Sequence, residues 1–161
     1  GKEVGISPFE PDQVDFAKKC LDLAGNKILL PIDGVATDAF KDWTKKVTVD
    51  GPNIPAGFEG MDIGPKTQAL FAKELSKAKM VFWNGPMGVF EQSDFEAGTR
   101  AVCEAISKLH GAFTVIGGGD SAAAVAQFGY KDAFSHISTG GGASLEMIEN
   151  DGHLPGIDVI G

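Results

Sequence analysis

Cysteine is almost missing from these 161 residues: only Cys20 and Cys103 are present. Two are too few for a disulfide framework, and they form no metal-ligand spacing. Both fall in helix-like patterns, where a thiol reads as a small buried group in a reducing compartment. Long apolar runs are missing too. Nothing approaches the ~18 residues of a membrane span, and no secretory signal is visible. Cations are outnumbered, with 14 Lys plus Arg against 22 Asp plus Glu and a net charge of −8. On average such a surface repels phosphate backbones, so neither nucleic acid nor a membrane is the expected partner. A local anion site remains compatible with that average. There is no internal repeat and no low-complexity tract.

What is present is apolar residues, at 43%, and glycine, at 22 residues. The first is enough for one domain with a core. The second is about twice the usual ~7% and is clustered, not periodic, which excludes collagen and suggests specific turns. The chain opens on Gly1, which suggests a piece of something longer.

Helical spacing links Val14, Ala17, Cys20, Leu21 and Ala24, with Ser7 and Glu10 at capping-box spacing and Gly25 as a stop. "KILLPID", residues 27–33, reads as a buried strand, although Pro31 cannot donate to a ladder. Gly34 to Gly64 is the least regular part, with one weak strand in "KKVTVDG". Pro65 opens a helix through Ala69, Ala72, Leu75 and Ala78. A strand in "KMVFWNG" follows. Ser93 and Glu96 suggest a second capping box, ahead of a helix with Phe95, Val102, Ile106 and Leu109 inside. Then come a strand in "AFTVIGGG", a helix from Asp120 to Phe128, a short strand in "AFSHIST", a helix in "ASLEMIEN" and a tail, "LPGIDVIG". Strands that alternate with helices and are apolar on both faces predict an α/β fold, a parallel sheet covered on each side.

Three strands end alike, in "FWNGPMGVFE", "VIGGGDSA" and "ISTGGGAS". Ligands of open α/β sheets bind outside the carboxyl ends of the strands. Glycine lets a phosphate approach the backbone, and a helix N-terminus offers free N–H groups and a positive dipole end. No Lys or Arg lies in the three turns, so anion binding there would rest on amides, and no Walker A loop is present. A single glycine turn can be simple chain reversal; two GGG turns after consecutive strands are harder to read that way. Asp120 is either an N-cap or a carboxylate that meets phosphate through Mg²⁺. Glu91 is either solvated or an acceptor for two ribose hydroxyls. His136 reads as structural, and Trp43 and Trp83 as packing groups. "GGGDSA" also contains the dinucleotide pattern G-x-G-x-x-A, so an NAD(P)- or flavin-binding oxidoreductase domain is the rival. It lacks the acidic residue expected about 20 positions on, where Ser138 to Gly141 stand.

"VFWNGPMGVFE", "IGGGDSAAAV", "SHISTGGGASLE" and "LPGI" closely resemble the phosphoglycerate kinase family. "GKEVGIS", "LLPIDGVATDAF" and "IPAGFEGMDIGP" fit the same family in the same order. The resemblance covers essentially the whole chain and points to the later part of the carboxyl-terminal, nucleotide-binding domain. It implies a three-layer αβα, Rossmann-like, doubly wound sheet, mostly parallel and incomplete across residues 1–161, with the strands here third to sixth in the order 3-2-1-4-5-6. It implies reversible phosphoryl transfer between 1,3-bisphosphoglycerate and ADP, giving 3-phosphoglycerate and Mg-ATP, in the cytoplasm. Gly60, Asn84, Gly85, Pro86 and Val89 would line the nucleotide pocket, and Glu91 would hold the ribose. Gly118, Gly119, Asp120 and Ser121 would sit at the phosphates, Asp120 facing Mg²⁺. Gly140, Gly141 and Gly142 would face the transferring phosphoryl group. The amino-terminal glycerate-binding domain and the lysines near the phosphates are not among these residues. The expectation is therefore that this chain alone is inactive. With the first two strands of that order absent, the third would lack a neighbour and the fourth would bare an apolar edge, so where the parent is a monomer this chain is expected to repack, to self-associate through that edge, or to be part of a longer polypeptide.

Overall fold

The computed structural model describes residues 1–159; the last two residues of the predicted tail, Ile160 and Gly161, lie outside them. The chain divides into two compact units, residues 1–69 and 70–161.

The first unit is built on an antiparallel sheet, where the sequence reads as irregular. Strand β1, Asp33–Thr37, lies between β2, Lys46–Asp50, and β3, Glu59–Ile63. Asp33 faces Asp50 and Thr37 faces Lys46 across one edge. Gly34 faces Ile63 across the other, with a register shift between Val35 and Ala36. The turn from β1 to β2 is organised by Asp38, whose carboxylate accepts the Thr44 N–H at 2.8 Å, the Thr44 hydroxyl at 2.6 Å and the Lys45 N–H at 2.9 Å. The Thr44 hydroxyl and these amides hold the Asp38 carboxyl down to about 2.

The expected strand at 27–33 does not form. Residues 25–27 make a 3-10 turn, and β1 begins only at Asp33. Leu29 and Leu30 stay 45% and 52% exposed, so the apolar run is not a buried strand. Pro31 removes a ladder donor in its middle. The N–H groups of Ile32 and Asp33 instead donate to the Thr67 hydroxyl, at 2.9 and 3.1 Å.

Helix α1, Val14–Ala24, follows a 3-10 turn at Pro11–Gln13 and ends at Gly25, φ 57. Its amphipathic spacing is real, yet it contains no buried residue. The Ser7–Glu10 capping box is absent, because α1 starts four residues after Glu10 and the Ser7 hydroxyl accepts the Gly60 N–H at 2.9 Å.

Helix α2, Pro65–Leu75, is preceded by Gly64, which has no side chain to cap it. Asp33 supplies one from β1. Its carboxylate accepts the Lys66 N–H at 2.9 Å, the Thr67 N–H at 2.7 Å and the Thr67 hydroxyl at 2.6 Å. A Cβ on Gly64 would collide with that carboxylate, so the position just before the helix must be bare. Burial pushes the Asp33 carboxyl up, but the Thr67 hydroxyl, the two amides and the Lys66 charge together hold it below its ordinary value.

The second unit bears out the parallel α/β reading. Strands β4, Met80–Asn84, β5, Phe113–Gly117, and β6, His136–Ser138, pair in parallel in that order. Helix α3, Ala97–Ser107, connects β4 to β5, and α4, Gly119–Gln127, connects β5 to β6. Two more helices follow, α5, Gly141–Glu149, and the short α6, Pro155–Asp158, within the predicted tail. Val81, Trp83, Val102, Cys103, Ile106, Ile116 and Val125 form the core, with Phe71, Leu75 and Leu109 packed against it. Burial pushes the Cys103 thiol up to about 12, as expected of a packing group. Cys20 is half-buried. The Ser93–Glu96 capping box does not form. Residues 93–95 are a 3-10 turn, α3 starts at Ala97, and the Glu96 carboxylate pairs with Arg100 at 2.7 Å. An (i, i+4) charge pair competes here for the same carboxylate.

Candidate functional site

The carboxyl ends of β4, β5 and β6 converge. Asn84 ends β4, Gly117 ends β5, and Gly141 opens the helix after β6. The three segments are so close that side chains are excluded between them. A Cβ on Gly141 would collide with Asn84 Oδ1 and come within 2.5 Å of the Gly118 amide nitrogen. A Cβ on Gly118 would lie 2.9 Å from Asn84 Oδ1, and one on Gly117 would lie 2.5 Å from the Phe82 ring. Gly118 also has φ 94 and ψ 150, a backbone state open to glycine. Its N–H donates to Ser138 O at 2.9 Å, which joins the second and third turns.

Other glycines face outward. A Cβ on Gly85, Gly119 or Gly142 would meet nothing within 4 Å. Gly119 and Gly142 are exposed and lie in the first turns of α4 and α5. The two GGG turns thus divide their labour: Gly117, Gly118 and Gly141 permit packing, while Gly119 and Gly142 leave helix N-termini uncovered. Backbone N–H groups in such first turns have no intrahelical acceptor and suit an anion. Asp120, also exposed, sits in the first turn of α4.

The loop after β4 is held by side chains from two helices. Ser121, 1% exposed on α4, accepts the Gly85 N–H at 2.7 Å. Thr99, fully buried on α3, accepts the Met87 and Gly88 N–H groups at 3.1 and 3.2 Å. Gln127 donates to Phe90 O at 3.3 Å. Phe90 is buried and packs edge-on to Phe128, 6.5 Å between ring centres, and Arg100 covers the Phe128 ring at 4.2 Å. Pro86 and Val89 are half-buried in this loop, and Glu91 is exposed at its end.

The structure thus brings together Asn84, Gly85, Gly118, Ser121, Gly140 and Gly141, with Gly119, Asp120 and Gly142 on the adjoining helix turns. Gly140 is the N-cap of α5; its N–H donates to Ser138 Oγ at 3.2 Å. Gly60 belongs to the first unit, exposed on β3. His136 is exposed on β6, and Trp83 is a core residue. Sequence reasoning missed Thr99 and Gln127. Thr99 had a signal: it completes the inward stripe Phe95, Thr99, Val102, Ile106, and a hydroxyl on a buried stripe needs a partner.

A sequence model of the phosphoglycerate kinase family matches residues 1–151. The chain belongs to that family. It is 57% identical over 160 residues to the phosphoglycerate kinase of Spiroplasma citri, covering 99% of this chain and 38% of that one. It is 55% identical to the phosphoglycerate kinase of Staphylococcus aureus strain JH9, covering 99% of this chain and 40% of the relative. Among solved structures, phosphoglycerate kinase from Coxiella burnetii superposes with a TM-score of 0.88 at 36% identity, over 99% of this chain and 41% of that one. That from Pyrococcus horikoshii OT3 gives 0.74 at 36% identity, over 86% and 34%. The chain therefore spans about two fifths of the length of the curated phosphoglycerate kinases it matches. Family membership does not favour the oxidoreductase reading. Among the described residues no helix is long and apolar enough to cross a membrane.

Proposed function

We propose that these residues form the nucleotide-binding part of a phosphoglycerate kinase, which transfers a phosphoryl group reversibly between 1,3-bisphosphoglycerate and ADP to give 3-phosphoglycerate and Mg-ATP. The observation that carries this is the convergence of three strand-end turns around Asn84, with the N-termini of α4 and α5 left uncovered at Gly119 and Gly142. The nucleoside lies along Asn84, Gly85, Pro86 and Val89, and Glu91 accepts the ribose hydroxyls. Gly119 and Asp120 attend the phosphates through backbone amides, and Gly118, its N–H donated to Ser138 O, shapes the turn beside them. Ser121 acts one step back, spending its hydroxyl on the Gly85 N–H. The turn Gly140 to Gly142 faces the transferring phosphoryl group; Gly140 donates its N–H to Ser138 Oγ, and the amides of Gly141 and Gly142 are the donors that stabilise developing charge.

Magnesium fits as a companion of the nucleotide. Mg²⁺ is usually held by one or two carboxylates together with substrate phosphates. Asp120 is one exposed carboxylate at the right helix end, and no cluster of three His, Cys, Asp or Glu stands ready for a metal among the described residues. When bound, the ion neutralises phosphate charge that Asp120 would otherwise repel.

For this chain taken by itself a second reading is a nucleotide-binding module without catalysis. It is favoured by the absence of any Lys or Arg in residues 84–91, 117–121 and 138–142. Phosphoryl transfer needs cationic charge stabilisation that amides and one carboxylate do not supply. The glycerate substrates, the cytoplasmic setting and a monomeric state are proposed for the whole enzyme; the isolated chain is expected to repack or to self-associate through the edge of β4, which pairs with β5 on its other side. Titration calorimetry with Mg-ADP tests the nucleotide reading. Saturable binding that weakens in Asp120→Ala supports it, and no heat at millimolar nucleotide refutes it. Turnover with 1,3-bisphosphoglycerate by the isolated chain would remove the module reading.

A further inference from the structure

Thr99 bonds to nothing that builds the sheet or the phosphate turns. Its hydroxyl oxygen accepts two consecutive amides, Met87 and Gly88, and so fixes the middle of the loop that follows β4. The side chain is fully buried on the same stripe as Phe95, Val102 and Ile106, and a β-branched residue in a helix has little χ1 freedom. The oxygen is therefore held in a fixed place. At its start the loop is held by Ser121 through Gly85, and at its end by Gln127 through Phe90. Between these points the loop has two backbone bonds of its own, Phe90 N–H to Gly88 O at 2.9 Å and Gln92 N–H to Val89 O at 3.0 Å. Both of these depend on where Gly88 and Val89 stand. By contrast, the phosphate turns are held by Gly118 N–H to Ser138 O and Ala122 N–H to Gly118 O, at 2.9 and 3.1 Å, without Thr99.

We infer that Thr99 is a positioning residue for nucleoside recognition: it sets the loop carrying Val89 and Glu91, and leaves the phosphate end untouched. This rests on the nucleotide reading above. Thr99→Val keeps the shape but removes both acceptor bonds; Thr99→Ser keeps the oxygen. The full chain and both variants are titrated with Mg-ADP and with Mg-triphosphate lacking a nucleoside, and amide exchange is followed at Met87, Gly88 and, as a check on the fold, Ile116. The expected result is faster exchange at Met87 and Gly88 only, about tenfold weaker ADP binding in Thr99→Val, triphosphate binding within twofold, and recovery in Thr99→Ser. Equal loss of both ligands, or faster exchange with unchanged ADP binding, overturns the inference. So does faster exchange at Ile116 in Thr99→Val together with failure of Thr99→Ser to bind ADP as the parent chain does. If the parent chain binds neither ligand, the nucleotide reading fails first and the inference with it; protected Met87 and Gly88 amides would then leave a loop clamp with no nucleoside to serve.

Discussion

Ser121 on α4 accepts the Gly85 N–H at 2.7 Å, so the helix after β5 holds the loop after β4. The hydroxyl is 1% exposed, and no water can replace it cheaply. Ser121→Ala leaves a part-buried N–H unpaired. The expected cost is about 1–3 kcal/mol of unfolding free energy. Urea denaturation measures it, and a midpoint equal to that of the parent chain would show that the bond does not hold the loop.

Gly141 and Gly142 are neighbours with opposite demands. A Cβ at Gly141 collides with Asn84 Oδ1 and crowds the Gly118 amide; one at Gly142 meets nothing within 4 Å. Gly141→Ala is therefore expected to destabilise by about 1–3 kcal/mol, the usual cost of overpacking. Gly142→Ala should change stability by less than about 0.5 kcal/mol, like other open surface positions. If the amides of α5 face a phosphoryl group, Gly142→Ala still weakens phosphate-bearing ligands. Denaturation and triphosphate titration on the same two variants separate packing from binding.

Asp33 links stability to pH. Its carboxyl is held below the ordinary value despite burial, by the Thr67 hydroxyl and the α2 amides. A group with a depressed folded pKa contributes fully above its unfolded value of about 3.9 and loses that contribution as pH falls through the folded value. The chain should thus lose stability below about pH 4, through this group in part. Asp33→Asn is expected to start lower at pH 7 by about 1.5–3 kcal/mol, the worth of hydrogen bonds to a charged group. It should also fall less steeply between pH 5 and 3. Parallel acid limbs for the two proteins would rule out the capping account.

The second unit was legible because its signals are local. Strands apolar on both faces and glycine turns at their ends announce a parallel sheet and its working edge, and β4, β5 and β6 pair in chain order. In the first unit α1, β2 and the start of α2 were legible, but the antiparallel sheet was hidden because its pairing is not local in pattern. "DGVAT" carries no clean alternation, and its partners lie beyond an Asx-type turn at Asp38 and a proline- and glycine-rich loop. The apolar run Ile28 to Ile32 misled, since apolarity was read as burial and these side chains are exposed. The capping boxes failed for different reasons: α1 starts beyond Glu10 and Ser7 accepts the Gly60 N–H, whereas Glu96 pairs with Arg100. At the site the glycines and Asp120 could be named from the sequence, whereas the contacts of Thr99, Ser121 and Gln127 join different helices to one loop and exist only in the fold.

Glu91 separates nucleoside from phosphate recognition. Its carboxylate is exposed, yet its backbone follows Phe90, which is buried against Phe128. A charged acceptor is thus carried on an anchored loop end, the arrangement needed to hold two ribose hydroxyls without ordering a free segment. Glu91→Gln keeps the size and removes the charge. It is expected to weaken ADP by ~1–2 kcal/mol, since hydrogen bonds to a charged group are replaced by weaker neutral ones. Inorganic triphosphate has no ribose, so its binding should hardly change, or should improve slightly as a negative charge leaves the neighbourhood. Asp120→Ala should give the reverse pattern, with triphosphate and ADP weakened together when Mg²⁺ is present. Titration of both ligands against both variants gives four affinities. Equal losses for ADP and triphosphate in Glu91→Gln would mean that Glu91 acts through the fold or the general field, and would remove it from the ribose site.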